Sequence, residues 1–316
     1  MKILITGSCG FIGFHLSSFL LKKNFKIVGI DNLNSYYSQK LKKDRLKKLK
    51  KFQNFSFLKI DISDNLKVKK VFTKHKFDYV FHLAAQAGVR YSIKFPREYV
   101  NSNIDGFYNV LESCRKYKIK RLFFASSSSV YGDSNRFPLK ENFNLKPTNT
   151  YSLSKKFNED IAEIFSKHYS LKSTGLRFFT IYGHWGRPDM FINKLIYSGI
   201  KNKKFTLNNY GNHHRDFTNI DDVTKILYKM LKLNNRPSFE ILNICSSNPI
   251  KLTEVINLIQ KKIKKIKIHK KGLQVADVLK THGCNKKIKK ITKFKKFLSF
   301  ESGIEKVINW SKNYYL

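Results

Sequence analysis

Lys2-Ile3-Leu4-Ile5-Thr6-Gly7-Ser8-Cys9-Gly10-Phe11-Ile12-Gly13 opens the chain with an apolar run, a turn of spaced glycines and the start of a second apolar pattern. The first run is short and unbroken, as in a strand covered on both faces. Phe14, Leu16, Phe19 and Leu20 then recur at helical spacing. Glycines spaced G-x-x-G-x-x-G between strand and helix permit a tight turn and let backbone N–H groups approach a pyrophosphate at the helix N-terminus. Gly7, Gly10, Phe11, Ile12 and Gly13 are the candidates for that contact. The next apolar run, residues 26–30, ends in Asp31 and Asn32. A carboxylate at that point accepts hydrogen bonds from an adenosine ribose and repels a 2′-phosphate, so NAD is expected in preference to NADP.

Alternation continues downstream. Helices are expected at about residues 39–51 and 64–75, with a strand at 55–60 between them. That strand runs into Asp61-Ile62, where Asp61 reads equally as an adenine-edge contact or as a turn or cap residue. The strand at 79–83 closes in Leu83-Ala84-Ala85, small residues past which a cofactor can run closely. A long helix follows at 96–117, then a strand into the serine run Ser126-Ser127-Ser128-Ser129, a helix at 151–169 and a strand at 173–179. A helix ending near 233, a strand at 239–244 and tail helices near 253–261 and 301–313 complete the pattern. Strand and helix repeated in this way predict an α/β fold, a Rossmann-type doubly wound parallel sheet with a smaller, mostly C-terminal substrate-binding lobe. The division expected is residues 1–179 for the NAD-binding domain, with 217–245 returning to it, and 180–216 with 246–316 for the substrate lobe.

At 316 residues the chain can bury a full core. No apolar run approaches the ~18 residues of a membrane helix, so membrane insertion is not expected. Four cysteines without paired spacing suit a free-thiol, cytoplasmic protein. Lys+Arg 62 against Asp+Glu 22 gives a formal charge of +40, yet only ten of the 62 are Arg. Nucleic-acid binders cluster basic residues on one face and use Arg for base edges. Here Lys recurs in nearly every surface segment, as a coding bias would leave it, so no specific nucleic-acid partner is expected. The field would still speed the arrival of an anionic substrate.

The chemistry centres on Tyr151-Ser152-Leu153-Ser154-Lys155. Tyr and Lys four apart on a helix project side by side. An ammonium beside a phenol favours the phenolate, which a phenol titrating near pH ~10 needs if it is to act as a base in neutral water. The serine run upstream delivers hydroxyls to a strand end.

With glycine turn, Asp31, serine run and Tyr151/Lys155 in this order, the chain resembles the extended short-chain dehydrogenase/reductase superfamily, and within it the UDP-glucuronate 4-epimerases. The stretches carrying the resemblance are residues 31–37, 82–92, 126–132, 175–190 and 210–222. The resemblance implies NAD-dependent epimerisation at C4 of a UDP-sugar through a transient 4-keto sugar. Tyr151 would remove and restore the 4-hydroxyl proton, Lys155 would lower the Tyr151 pKa and bind the nicotinamide ribose, and Ser127 would hold the same oxygen. Arg187 and Arg215 look like the diphosphate and nucleotide contacts. Arg90 also matches, either as a carboxylate contact or as a loop anchor. A homodimer through the helices near 96–117 and 151–169 is implied as well.

Two departures stand out. Ser8-Cys9 occupies the loop where small Ala or Gly residues are usual, a place where side chains can point outward. Gln274-Val275-Ala276-Asp277-Val278 resembles Gln-Pro-Gly-Asp-Val without its Pro-Gly turn, which leaves the position of Asp277, a substrate-contact candidate, open.

For a uronic acid the 4-keto intermediate is a β-keto acid prone to lose carbon dioxide, so its carboxylate must be held away from cleavage geometry. Ser128, Ser129 and Thr180 are the candidate donors. Related dehydratases carry Asp and Glu after the Ser/Thr, and decarboxylating relatives Glu; here both positions are serine, which favours epimerisation. A UDP-hexose or UDP-N-acetylhexosamine 4-epimerase is the alternative. A silent NAD-binding protein docking RNA through its basic surface is the distant one. His213 and His214 read as loop filler, and no metal site is expected.

Overall fold

The computed structural model describes residues 1–263, 266–274 and 277–316. Its chain divides into two compact units, the first made of Met1–Gly132, Asn144–Phe178 and Leu227–Leu242. Strands β1 (Lys2–Thr6), β2 (Lys26–Asp31), β3 (Phe55–Lys59), β4 (Tyr79–His82), β5 (Arg121–Ser127) and β6 (Ser173–Phe178) form one sheet with Phe239–Ile244. The spatial order is Phe239–Ile244, β6, β5, β4, β1, β2, β3, a doubly wound parallel sheet with its order reversing at β1 and β4. Ile3, Leu4 and Ile5 are fully buried, which is why β1 reads as an unbroken apolar run. Leu4, Val28, Val80, Leu122 and Phe124 face the helices that carry Val68, Phe107, Val110, Ala162 and Phe165. Phe81 and Phe123, in register across β4 and β5, stack at 4.6 Å between ring centroids.

The helices of this unit are α1 (Phe11–Leu21), α2 (Gln39–Leu49), α3 (Asn65–Lys74), α4 (Val89–Lys94), α5 (Pro96–Tyr99), α6 (Gly106–Lys116) and α7 (Thr150–Tyr169). The helix expected to run unbroken over 96–117 is interrupted by a π-helical segment, Val100–Asp105. Inside it Asn103 turns its amide onto the backbone of Gln86, accepting from the N–H at 2.8 Å and donating to the carbonyl at 3.0 Å. A side chain bound across the loop in this way accounts for the local widening, which periodicity does not reveal.

The second unit comprises Asp133–Phe143, Phe179–Ile226 and Asn243–Leu316. A three-stranded sheet pairs His214–Asn219 with Pro249–Lys251 antiparallel and with Thr180–Tyr182 parallel. A second, two-stranded sheet joins Phe205–Leu207 to Ile268–Lys270. Ile192, Leu195, Val255, Ile259, Ile304 and Val307 from three helices fill the core. Apart from Phe179, which falls in the second unit, the units differ from the sequence division at two places. Asp133–Phe143 packs in the second unit because Leu139 exchanges backbone hydrogen bonds with His282 (2.7 Å) and Cys284 (2.8 Å). The return to the first unit spans Leu227–Leu242 where 217–245 was expected. Among the described residues no helix is long and apolar enough to cross a membrane.

Candidate active site

The glycine turn is built by close backbone approach. Gly7 has φ +69°, and a Cβ there would meet the Ala84 amide nitrogen at 2.7 Å. One at Gly13 would stand 2.1 Å from the Gly7 carbonyl oxygen. Gly10 is the N-cap of α1 and offers no side chain, so the N–H groups of Phe11, Ile12 and Gly13 open the helix without a side-chain cap. Asp31 ends β2 with its carboxylate buried, accepting from Cys9 N–H at 3.0 Å and Leu33 N–H at 2.8 Å. Burial pushes this carboxyl up, while those amides and the Lys42 and Arg45 cations oppose the shift. Asn32 donates to Asp61 at 2.7 Å, and Asp61 also accepts from Ser63 N–H and Oγ. Asp64, not Asp61, caps α3. Ile62 is a core side chain against Gly106. Ser8 and Cys9 do not point outward: both are fully buried, and Ser8 Oγ packs against Gly29.

At the end of β4, Thr6 Oγ1 accepts from Leu83 and Ala84 N–H, each at 3.1 Å. With both lone pairs engaged, the hydroxyl proton remains for His82 Nδ1, 3.0 Å away, which leaves His82 as the Nε2–H tautomer. Burial, with the Lys155 charge added, pushes the His82 imidazolium down to about 3. It is therefore neutral at working pH. Ala85 follows, half-buried.

A capping box starts α7. Ser152 N–H donates to Asn149 Oδ1 at 3.0 Å and Asn149 N–H to Ser152 Oγ at 3.1 Å. Tyr151 lies in that first turn, half-buried, its ring edge-on to Tyr99 at 5.9 Å. One turn on, Lys155 is 1% exposed and donates to the Ala125 carbonyl at 2.9 Å. Desolvation pulls this ammonium down to about 8, with Glu159 opposing. Ser127 ends β5 and its Oγ accepts from Ser129 N–H (3.2 Å) and Ser129 Oγ (2.9 Å), so its own proton is available to donate. Ser128 and Ser129 are half-exposed in the 3-10 turn that follows. Arg90 is exposed on α4. The first unit thus brings the glycine turn, Asp31, the β4 end, Ser127, Tyr151 and Lys155 to the carboxyl ends of neighbouring strands, where doubly wound folds bind ligands.

In the second unit Thr180 opens a strand opposite Phe217. Arg187 forms an ion pair with Asp189, Nε to Oδ1 at 3.1 Å. Arg215 Nη1 donates to the carbonyls of His214 (2.9 Å) and Leu279 (3.2 Å). Asp277 N–H donates to the Gln274 carbonyl at 3.2 Å; residues 275 and 276, where the Pro-Gly is lost, lie outside the described residues. His213, read as filler, is buried with Nε2 3.7 Å from Asp277 Oδ2.

A profile of the NAD dependent epimerase/dehydratase family matches residues 3–245. The chain belongs to that family. It is 37% identical over 312 residues to UDP-glucuronate 4-epimerase of Thermodesulfobacterium geofontis, covering 98% of this chain and 95% of that relative. It superimposes with TM-score 0.94 and 29% identity on UDP-glucuronic acid 4-epimerase from Bacillus cereus in complex with UDP-glucuronic acid and NAD, over 100% of both chains. UDP-glucose 4-epimerase from Thermotoga maritima, solved with UDP-glucose, gives TM-score 0.91 and 26% identity, again over 100% of both. The protein is an NAD-dependent nucleotide-sugar epimerase. The residues present fit this cofactor. The turn leaves no room for a Cβ at Gly7 or Gly13, the α1 N-terminus is uncapped by side chains, and a buried carboxylate sits at the end of β2.

Sequence reasoning missed several side chains that pack around these candidate residues of the epimerase-family chain. Asn103 ties Gln86 to α7 by donating to Ser154 Oγ at 3.0 Å, next to Lys155. Lys42 and Arg45, within the helix expected at 39–51 and not singled out there, are buried beside Asp31. Arg45 Nη1 donates to the Cys9 carbonyl (2.8 Å) and the Tyr37 hydroxyl (2.7 Å). Their spacing with Leu41, Leu46 and Leu49 on one helical face was the available signal.

Proposed function

We propose that this enzyme interconverts UDP-glucuronate and UDP-galacturonate. The observation carrying the reading is the hydroxyl-only strand end, Ser127-Ser128-Ser129, which offers donors to a carboxylate and no acid for elimination. Bound NAD supplies reversible hydride acceptance at the sugar C4. Tyr151, as phenolate, takes the C4 hydroxyl proton and returns it after the 4-keto sugar has turned. The Lys155 ammonium, fixed on the Ala125 carbonyl, stabilises that phenolate. Ser127 donates to the same sugar oxygen. Ser128, Ser129 and Thr180 bond the uronate carboxylate and hold the C–C bond out of alignment with the ketone π system. Arg215 and Arg187 make the diphosphate and nucleotide contacts, as the planar guanidinium fork suits, with Arg187 released from Asp189 to do so. Asp31 binds the adenosine ribose, and Asp277 contacts the nucleotide.

Product analysis with UDP-glucuronate, UDP-glucose and UDP-N-acetylglucosamine tests this reading. Turnover of the uronate with formation of UDP-galacturonate is expected, and turnover of a neutral hexose alone would retire it. The likeness to the Thermotoga maritima enzyme favours a UDP-hexose as the second reading.

We further propose a homodimer through α6 and α7, supported by Tyr108, Leu153, Ile164 and Tyr169, large apolar side chains exposed on those helices. Sedimentation of the wild type and of Ile164→Asp checks it; a wild-type monomer at micromolar concentration would refute it. Four buried, unpaired cysteines support a cytoplasmic location.

A further inference from the structure

Beneath the Tyr151/Lys155 face lies a buried ion pair that the reaction chemistry does not call for. Tyr151, Lys155 and Glu159 recur at i, i+4 and i+8 along one stripe of α7. The Glu159 carboxylate accepts from Arg177 of β6 through Nε (2.9 Å) and Nη2 (2.8 Å), and from Ser126 Oγ at 2.5 Å. Arg177 Nη1 donates to the Tyr131 hydroxyl at 2.8 Å, and the guanidinium lies 4.7 Å from the centre of that ring. Glu159 and Arg177 side chains are 5% and 4% exposed. Stability alone gives no reason for charges here, since apolar pairs of similar volume are often as stable.

What the pair touches gives a reason. Ala125, Ser126 and Ser127 are consecutive at the end of β5. Lys155 bonds the first, Glu159 the second, and Ser127 is the hydroxyl donor. Two consecutive turns of α7 therefore clamp the strand end that carries Ser127. The titratable and charged groups around Lys155 are His82 on β4, Tyr151 and Glu159 on its own helix and, behind Glu159, Arg177 of β6. His82 is neutral, which leaves Glu159 as the negative charge that opposes desolvation of the Lys155 ammonium.

We propose that Glu159, locked by Arg177, is a positioning residue: one helical turn beyond Lys155, it holds the Lys155 side chain and, through its bond to Ser126, the strand end bearing Ser127. This inference rests on the assigned roles of Tyr151 and Lys155, not on which sugar is turned over.

The test replaces both charges at once, Glu159→Leu with Arg177→Met, so that no unpaired charge is buried. Glu159→Gln serves as the second variant should the double one fail to fold. With [6-13C]lysine in the protein, the resonance absent from Lys155→Met reports the Lys155 titration without any substrate. In the wild type it is expected near pH 8. In either variant it should fall by about one pH unit or more, and the alkaline limb of kcat should move down with it. An unchanged Lys155 titration, with kcat lowered equally at every pH, would reduce the pair to packing and overturn the proposal. A wrong sugar assignment would abolish turnover of the uronate while leaving the resonance shift intact.

Discussion

Lys155 Nζ stands 2.9 Å from the carbonyl oxygen of Ala125, so the ammonium of α7 is held on the strand that carries the serine hydroxyls. A flexible four-carbon chain becomes a fixed charge through this bond, and its nearly complete burial makes that charge strong. Removing it should act on the base rather than on the fold of the sheet. In Lys155→Met the Tyr151 phenol loses its cation and should titrate upward towards ~10, the value of a free phenol. The rate at pH 7 should then fall steeply and recover in part as pH is raised, whereas the wild type should lose activity as Lys155 itself deprotonates through about 8. A pH–rate profile of both proteins checks this. Profiles of the same shape would remove Lys155 from the activation of the base.

Tyr151→Phe keeps the ring that meets Tyr99 edge-on and deletes only the hydroxyl. The variant should fold and retain NAD while kcat drops by roughly 10²–10⁴-fold, the usual contribution of a positioned proton-transfer group. Turnover is measured alongside the nucleotide released from purified protein. Activity within a few-fold of wild type would place the proton transfer elsewhere.

Ser128→Ala deletes one donor proposed to hold the uronate carboxylate. With the β-keto acid less constrained, the fraction of decarboxylated pentose product should rise while the rate of C4 oxidation changes little. Chromatography of the nucleotide sugars after prolonged incubation reads this directly; the absence of any pentose product would count against the carboxylate role.

His82 links the site to acid stability. Its folded-state pKa is depressed to about 3 by burial and by the Lys155 charge, against ~6.5 in an unfolded chain. The unfolded state therefore takes up a proton that the folded state refuses. The stability concerned is present above pH ~6.5 and is lost as pH falls towards 3, at about 1.4 kcal/mol per pH unit once the unfolded histidine is protonated. His82→Asn should be less stable at pH 7, because Thr6 loses its partner, yet should decline less steeply on acidification by one proton's worth. Urea unfolding at several pH values between 4 and 7 compares the slopes, and equal slopes would mean that His82 takes up a proton in the folded state.

Much of the fold was legible because its signals are local. β1, the glycine turn and α1 lie within the first 21 residues, and each is specified by neighbours in the chain. The Tyr151/Lys155 pair needs only a helical repeat, and the serine run needs only a strand end. Small segments of the second unit were not legible. Thr180–Tyr182, Phe205–Leu207 and Pro249–Lys251 have three residues each, too few for a period to emerge. Asp133–Phe143 took its place through Leu139, whose partners come some 140 residues later. Asn103 and Glu159 looked like ordinary polar positions on helices, because the groups they bond arrive from distant segments.

The sequence by itself determined the order of strand and helix, the nucleotide turn, the acidic end of β2 and the phenol–amine pair, since spacing along the backbone sets which groups share a face. Only the tertiary structure decided the electrical state of the site. Whether Lys155 sheds its proton near 8, whether His82 stays neutral and whether a glutamate is buried against an arginine depend on the water excluded around each group. That exclusion comes from segments far apart in the chain closing over one another.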